Sequence, residues 1–198
     1  MTRAPSPLFL VAAAIAGALL AWATFVPGAG LQAEGGPFEA ASAGLLAGAA
    51  VLAAARRMPW AAILLALFAL RELDYDKRAV SEGILKLRQY TGDAPLWEKA
   101  LGLAVVALTI LTLVQLARRW GLWRAALSAG RTWAVLLPVA AALVLVAKSI
   151  DGLGRKLAGL GLGAPDWVLA NAPLLEETLE LGFAACLLAV VLTFARTP

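Results

Sequence analysis

The sequence predicts an all-α, polytopic membrane protein, built as a bundle of six transmembrane helices with both termini in the cytoplasm. Of its 198 residues, 62% are hydrophobic and 15% are charged, whereas a soluble domain is about half apolar and a quarter charged. The apolar residues form long continuous runs, without the alternation that marks the strands of a membrane β-barrel. Helices satisfy their own backbone hydrogen bonds in lipid, so these runs predict membrane-spanning helices.

Six segments are apolar and long enough for this role, because a helix crosses roughly 30 Å of hydrocarbon with about 20 residues. The predicted spans cover residues 8–26, 38–55, 59–78, 98–117, 132–151 and 174–195. They form a single integral membrane domain over residues 1–198. The longer connections, 79–97 and 152–173, are predicted to lie on the outer side.

The first span has an alternative interpretation as a secretory signal peptide. Arg3 precedes an apolar run, and Ala21-Trp22-Ala23 offers small residues for cleavage. The run at 8–26 is longer than a usual signal-peptide core, so we favour an uncleaved first helix. Cleavage would leave five helices and would move no other segment.

The distribution of charge predicts the orientation. With six helices threaded from a cytoplasmic N-terminus, the cytoplasmic side carries eight arginines and no acidic residue. The eight are Arg3, Arg56, Arg57, Arg118, Arg119, Arg124, Arg131 and Arg196. The opposite side receives the other nine basic residues and all 13 acidic ones. This asymmetry follows the positive-inside rule, and the short loops and alanine-rich composition favour a bacterial inner membrane.

Two residue counts narrow the chemistry. The chain has one cysteine, Cys186, and no histidine. An intramolecular disulfide, a paired-cysteine metal site and a histidine-based catalytic unit are therefore excluded. The net charge of +4 does not indicate nucleic-acid binding, because the arginines are accounted for by membrane orientation. The sequence identifies no cofactor.

The third span contains the main functional indication. Its uncharged part, 59–70, covers only about 18 Å, so a full crossing must continue through the charged residues 71–78. Glu72 and Asp76 are four residues apart and would share one face of that helix, below the outer surface of the membrane.

Ionisable residues also occur at the outer ends of the fifth and sixth spans. These are Lys148, Asp151, Arg155, Glu176, Glu177 and Glu180. A charge that faces lipid costs several kcal/mol, so we expect these side chains to face one another, water or the bundle interior.

Two interpretations of these residues remain open. In the first they form an outward-facing pocket, with Glu72, Asp76 and Glu180 as acid–base catalytic groups. Lys148 and Arg155 would then hold an anion such as a lipid phosphate, and the remaining carboxylates would complete the ligand site. In the second the charges form a salt-bridge network between helices, which their mixed signs favour. An all-oxygen cluster also suits a divalent cation, but no residue is assigned as a metal ligand.

Three classes of function follow. The first is a membrane enzyme or binding protein that takes a lipid or amphiphile from the outer leaflet. The second is a non-catalytic subunit or assembly factor. Gly44 and Gly48 are the observation that supports this second class. They form a GxxxG pattern that favours close helix packing, either within the monomer or in a homodimer. The third is a small transporter, which is the weakest because the inner halves of the spans lack ionisable residues.

The outer connection 79–97 also shows a periodic pattern. Val80, Ile84, Leu87 and Thr91 recur at helical spacing. They predict an amphipathic helix that lies on the outer leaflet or caps the bundle.

Overall fold

The computed structural model describes residues 36–194, apart from the side chains of Asp76 and Lys77. The predicted first span 8–26, Arg3 and Arg196 lie outside the described residues. The described part of the chain consists of helices and loops and contains no β-strand. In chain order its helices are α1 (Pro37–Ala55), α2 (Pro59–Glu72), α3 (Tyr75–Ala79), α4 (Leu87–Thr91), α5 (Leu96–Ala117), α6 (Trp120–Ser128), α7 (Thr132–Ile150), α8 (Leu153–Gly159) and α9 (Asp166–Phe194).

Four of these helices, α1, α5, α7 and α9, are long and apolar enough to cross a membrane. This is the pattern of an integral membrane protein. The bounds of α1, α5 and α7 agree with the predicted spans 38–55, 98–117 and 132–151 to within two residues. The agreement reflects how sharply charged residues, glycine or proline end these three apolar runs.

The helix predicted over 59–78 is interrupted. α2 ends at Glu72 after 14 residues, and a separate short helix, α3, follows. Between them Asp74 has a φ of 49°, in the left-handed region that aspartate tolerates better than most residues and that stops a right-handed helix. The expectation that Glu72 and Asp76 share a helical face is therefore wrong, because they lie on different helices.

The last helix begins earlier than predicted. The predicted span 174–195 corresponds to the C-terminal part of α9, which starts at Asp166 and continues through Pro173. Pro173 lies inside this 29-residue helix, beyond the first turn, although proline cannot donate the backbone hydrogen bond of a helix interior. Much of the predicted outer loop 152–173 is consequently helical, in α8 and in the first turns of α9.

The amphipathic helix predicted over residues 80–91 is largely wrong. Only Leu87–Thr91 is helical there. Val80 and Ile84 are buried, but Leu87, on the same predicted face, is 75% exposed. The segment folds as a loop around polar side chains, as described below, and hydrogen bonds to those side chains replace helical ones.

The bundle is organised around α9, which packs along α7 on one side and α1 on the other. α1 packs in turn on α2, and α2 contacts α5. Small side chains allow the close approach, since Ala49, Ala53 and Ala184 are completely buried in the core. Phe68 of α2 and Phe183 of α9 meet edge-to-face with their ring centres 5.5 Å apart, a favourable geometry for aromatic pairs.

The two ends of the bundle carry opposite charge. At the end we call the arginine end, the Arg56 guanidinium donates a hydrogen bond to the carbonyl of Val191, and the rings of Trp133 and Phe194 are 5.0 Å apart. These contacts bring together the C-termini of α1 and α9 and the N-terminus of α7. The described arginines of this end are Arg56, Arg57, Arg118, Arg119, Arg124 and Arg131. The described Asp and Glu residues lie toward the other end, which we call the acidic end.

Gly44 and Gly48 lie on an exposed face of α1. A Cβ atom added at either position would meet no atom within 4 Å. Within residues 36–194, the packing inside the monomer that was expected for these glycines is therefore not found. The face remains open to a helix from elsewhere.

Candidate functional site

The candidate site is a group of five side chains at the acidic end, which we call the charged cluster. It consists of Glu72 on α2, Lys148 on α7, and Glu176, Glu177 and Glu180 on α9. Each residue lies at or near the end of an apolar helical run, so the same apolar packing that assembles the bundle brings these charges together. All five were assigned to a site from the sequence.

An ion pair holds α7 to α9 in the middle of the cluster. The Lys148 Nζ atom contacts Oε1 of Glu180 directly and lies 3.4 Å from Oε1 of Glu176. Glu176 and Glu180 are one helical turn apart, so both carboxylates face the same lysine. The Glu180 side chain is only 10% exposed, and burial strengthens an interaction that would contribute little at a surface.

Glu72 and Glu177 add two further carboxylates to the cluster, each with Glu180 and Lys148 among its electrostatic neighbours. Glu72 is half-buried, and its electrostatic neighbours include Glu180 and Lys148. Glu177 is also half-buried, and it is repelled by Glu180 and by Glu39 of α1. The cluster thus joins the C-terminal ends of α2 and α7 to the middle of α9, with a further carboxylate on α1.

The balance of charge in the cluster is negative. Four carboxylates surround one lysine, and the exposed Arg71, adjacent to Glu72, acts on both Glu72 and Lys148. Charged groups at membrane depth are costly unless they are paired. The carboxylates that do not pair with Lys148 can therefore bind a positively charged partner or protons.

The predicted anion-holding groups are arranged differently from expectation. Lys148 is occupied by two carboxylates, and Asp151 is exposed at the C-terminal end of α7, where it repels Glu176. Arg155 is exposed on α8, with its guanidinium folded back toward Gly152. The side chain of Asp76 lies outside the described part. This arrangement suits a cation better than a phosphate.

The geometry does not resemble a metal centre. Among the described residues, no three side chains of His, Cys, Asp or Glu are placed so that they could hold a metal ion. The carboxylates are divided between α2 and α9, and Lys148 lies between two of them. A divalent cation needs several oxygen ligands at short distance from one point.

A second polar group, missed by the sequence analysis, fixes the loop between α3 and α5. Glu98 Oε2 accepts hydrogen bonds from the Ser81 backbone N–H at 2.8 Å and from the Ser81 hydroxyl at 2.7 Å. It also accepts one from Gln89 Nε2 at 3.3 Å. Gln89 is fully buried and Glu98 is 8% exposed. An acidic residue in the first turn of α5 was the available signal, since carboxylates stabilise helix N-termini.

We predict that Lys148→Met destabilises the bundle, because it leaves Glu180 buried without its partner. Breaking a fully buried pair costs about 3–5 kcal/mol, and we expect about 2 kcal/mol here because Lys148 is 36% exposed. The double variant Lys148→Met/Glu180→Gln should recover at least half of the loss. Reversible unfolding in detergent micelles measures all three proteins.

The matched control is Arg88→Met, which removes an exposed ion pair with Glu82 and should change stability by less than about 0.5 kcal/mol. If Lys148→Met has an equally small effect, or if the second substitution adds to the loss, the ion pair does not hold α7 to α9.

No protein-family description, curated protein sequence or solved structure that was compared with this chain matches it.

Proposed function

We propose that this is a six-span protein of a bacterial inner membrane, in which the charged cluster binds the positively charged headgroup of a lipid or amphiphile from the outer leaflet. The observation that carries the proposal is the arrangement of four carboxylates, at the C-terminal end of α2 and in the middle of α9, around a single lysine. Helix α2 and the segment 8–26 complete the six spans.

The segregation of charge supports the orientation. Among the described residues, the arginine end carries six arginines and no carboxylate, and the carboxylates gather at the other end. Positively charged loops remain in the cytoplasm during membrane insertion. The arginine end and both termini are then cytoplasmic, and the charged cluster faces the outer side.

The Lys148 ammonium supports the choice of ligand. It shows the kind of group that these carboxylates accept, since a single Nζ atom lies between Glu180 and Glu176. A primary amine on a lipid headgroup carries the same charge and the same three donors. Lys148 forms its ion pairs with Glu176 and Glu180. We therefore assign the other two carboxylates of the cluster, Glu72 and Glu177, to the ligand.

No reaction is assigned to the cluster. Glu72 and Glu180 were the sequence's acid–base candidates, but Glu180 is engaged by Lys148 and Glu72 lies on a different helix from Asp76. Binding accounts for the arrangement without a chemical step. The salt-bridge network is the competing interpretation, and the following experiment separates the two.

We expect Glu72→Gln and Glu177→Gln each to weaken binding of an amine-bearing lipid by about tenfold, because each removes one charged acceptor. The purified protein is placed in bilayer nanodiscs that contain equal amounts of phosphatidylethanolamine and phosphatidylcholine. Retained lipids are counted by native mass spectrometry. The control Glu82→Gln, in the outer loop, should retain lipids as the wild type does.

Equal retention of the two lipids by the wild type would contradict selection of a primary amine. Unchanged retention in folded Glu72→Gln and Glu177→Gln proteins would contradict lipid binding at the charged cluster. The cluster would then serve only to hold the helices together.

The orientation is tested with single cysteines in a Cys186→Ala background. Gly163→Cys, between α8 and α9, should react with a membrane-impermeant maleimide in intact spheroplasts. Ala129→Cys, between α6 and α7, should react only after the membrane is permeabilised. The reverse pattern would place the charged cluster in the cytoplasm and would refute binding from the outer leaflet.

The second candidate function is that of a non-catalytic subunit. It is favoured by the open face of α1 at Gly44 and Gly48, since small residues let two helices approach closely in a membrane. Gly44→Ile with Gly48→Ile should abolish a homodimer detected by chemical crosslinking, whereas Ala107→Ile on the exposed face of α5 should not. A wild-type protein that is monomeric in membranes excludes the homodimer.

A further inference from the structure

A cavity of about 180 Å³ extends from the arginine end of the bundle to Phe68, and no residue of the charged cluster lines it. Residues of α2, α5, α6, α7 and α9 line it, and apart from Arg119 the lining is apolar and aromatic. Apolar cavities of roughly 150 Å³ stay free of water and take up molecules the size of benzene. This cavity is therefore suited to a short length of hydrocarbon chain.

The arrangement of the helices leaves the cavity accessible. α5 packs on α2, and α7 packs on α9, so the cavity occupies the space between two helix pairs. It is partly open to the surroundings. In a bilayer those surroundings are acyl chains, which can enter from the side.

Two polar side chains at the cavity, Trp133 and Arg119, match the ester and phosphate groups of a phospholipid. Trp133 lines the cavity and is 6% exposed, and its indole Nε1–H has no hydrogen-bond partner. A buried donor without an acceptor costs about 1–3 kcal/mol. An ester carbonyl would supply the acceptor. Tryptophan is enriched at the membrane interface, where ester groups lie.

Arg119, also in the lining, supplies charge for the headgroup. It is exposed at the turn between α5 and α6, and the described part of the arginine end contains no carboxylate that would neutralise it. Arginine pairs favourably with phosphate. Basic groups at a membrane surface attract anionic lipids.

We propose that this cavity binds one acyl chain of an anionic glycerophospholipid, with the Trp133 N–H on an ester carbonyl and Arg119 on the phosphate. The site differs from the charged cluster in position and in charge. It selects an anionic lipid at the arginine end, whereas the proposed function assigns a cationic headgroup to the acidic end. The two can therefore fail independently.

The test uses the full chain in nanodiscs that contain a phosphatidylglycerol with a photoactivatable diazirine near the end of one acyl chain. After irradiation, mass spectrometry locates the labelled residues. We expect labelling at Leu137 and Leu187, which line the cavity, to exceed several-fold that from the same probe on phosphatidylcholine. Labelling confined to outward-facing residues of α5 such as Leu103 and Ile110 would overturn the proposal.

Two matched pairs of variants locate the lipid. Ala61→Phe fills the cavity and should reduce labelling at Leu187 at least fivefold, whereas Ala66→Phe, exposed on the same helix, should not. Arg119→Gln should reduce the preference for phosphatidylglycerol about tenfold. Arg57→Gln, an exposed arginine of the same end that does not line the cavity, should preserve it.

Unchanged labelling in Ala61→Phe would show that the lipid lies elsewhere. An equal loss of preference in Arg119→Gln and Arg57→Gln would show that the net charge of this end, and not Arg119, selects the lipid. Either result contradicts the site as proposed. If Ala61→Phe does not fold, the labelled positions in the wild-type protein decide the matter alone.

Discussion

The ion pair between Lys148 and Glu180 is the contact on which the acidic end of the bundle depends. It joins α7 to α9, the two helices that pack most extensively against each other. A lone charge at membrane depth would be drawn toward water or would force its helix to shift. Pairing removes that cost and allows α9 to remain in the centre, in contact with α1. The positions of Glu72 and Glu177 follow from this arrangement.

The fold could be predicted from the sequence wherever apolar runs have sharp ends. α1, α5 and α7 begin close to the predicted bounds because Pro37 is the first residue of α1, and Pro95 and Arg131 directly precede α5 and α7. The error at α2 arose because a membrane crossing was assumed to require one continuous helix. The rule that sets the length of a span carries no information about backbone angles, and the left-handed conformation of Asp74 depends on its local surroundings.

For the charged cluster, the sequence predicted which residues come together but not which side chains contact each other. The cost of isolated charge in lipid indicated that residues from three spans should meet, and the structure brings Glu72, Lys148 and Glu180 to one end of the bundle. The expected role of Lys148 as an anion ligand depended on which neighbours it contacts, and spacing along the chain does not determine contacts between helices. Glu98 was missed because its partners, Ser81 and Gln89, lie in a loop whose path has no periodic signature.

The early end of α2 has a consequence for the bilayer itself. Fourteen residues of helix extend about 21 Å, and the hydrocarbon core is roughly 30 Å thick. A short hydrophobic segment is accommodated by local thinning of the membrane or by flanking polar groups that extend to its surface. In the proposed topology, in which α2 crosses the membrane, the outer interface next to α2 is then drawn inward, toward Glu72. Hydrophobic mismatch along one helix thus gives water and lipid headgroups a shorter path to the charged cluster.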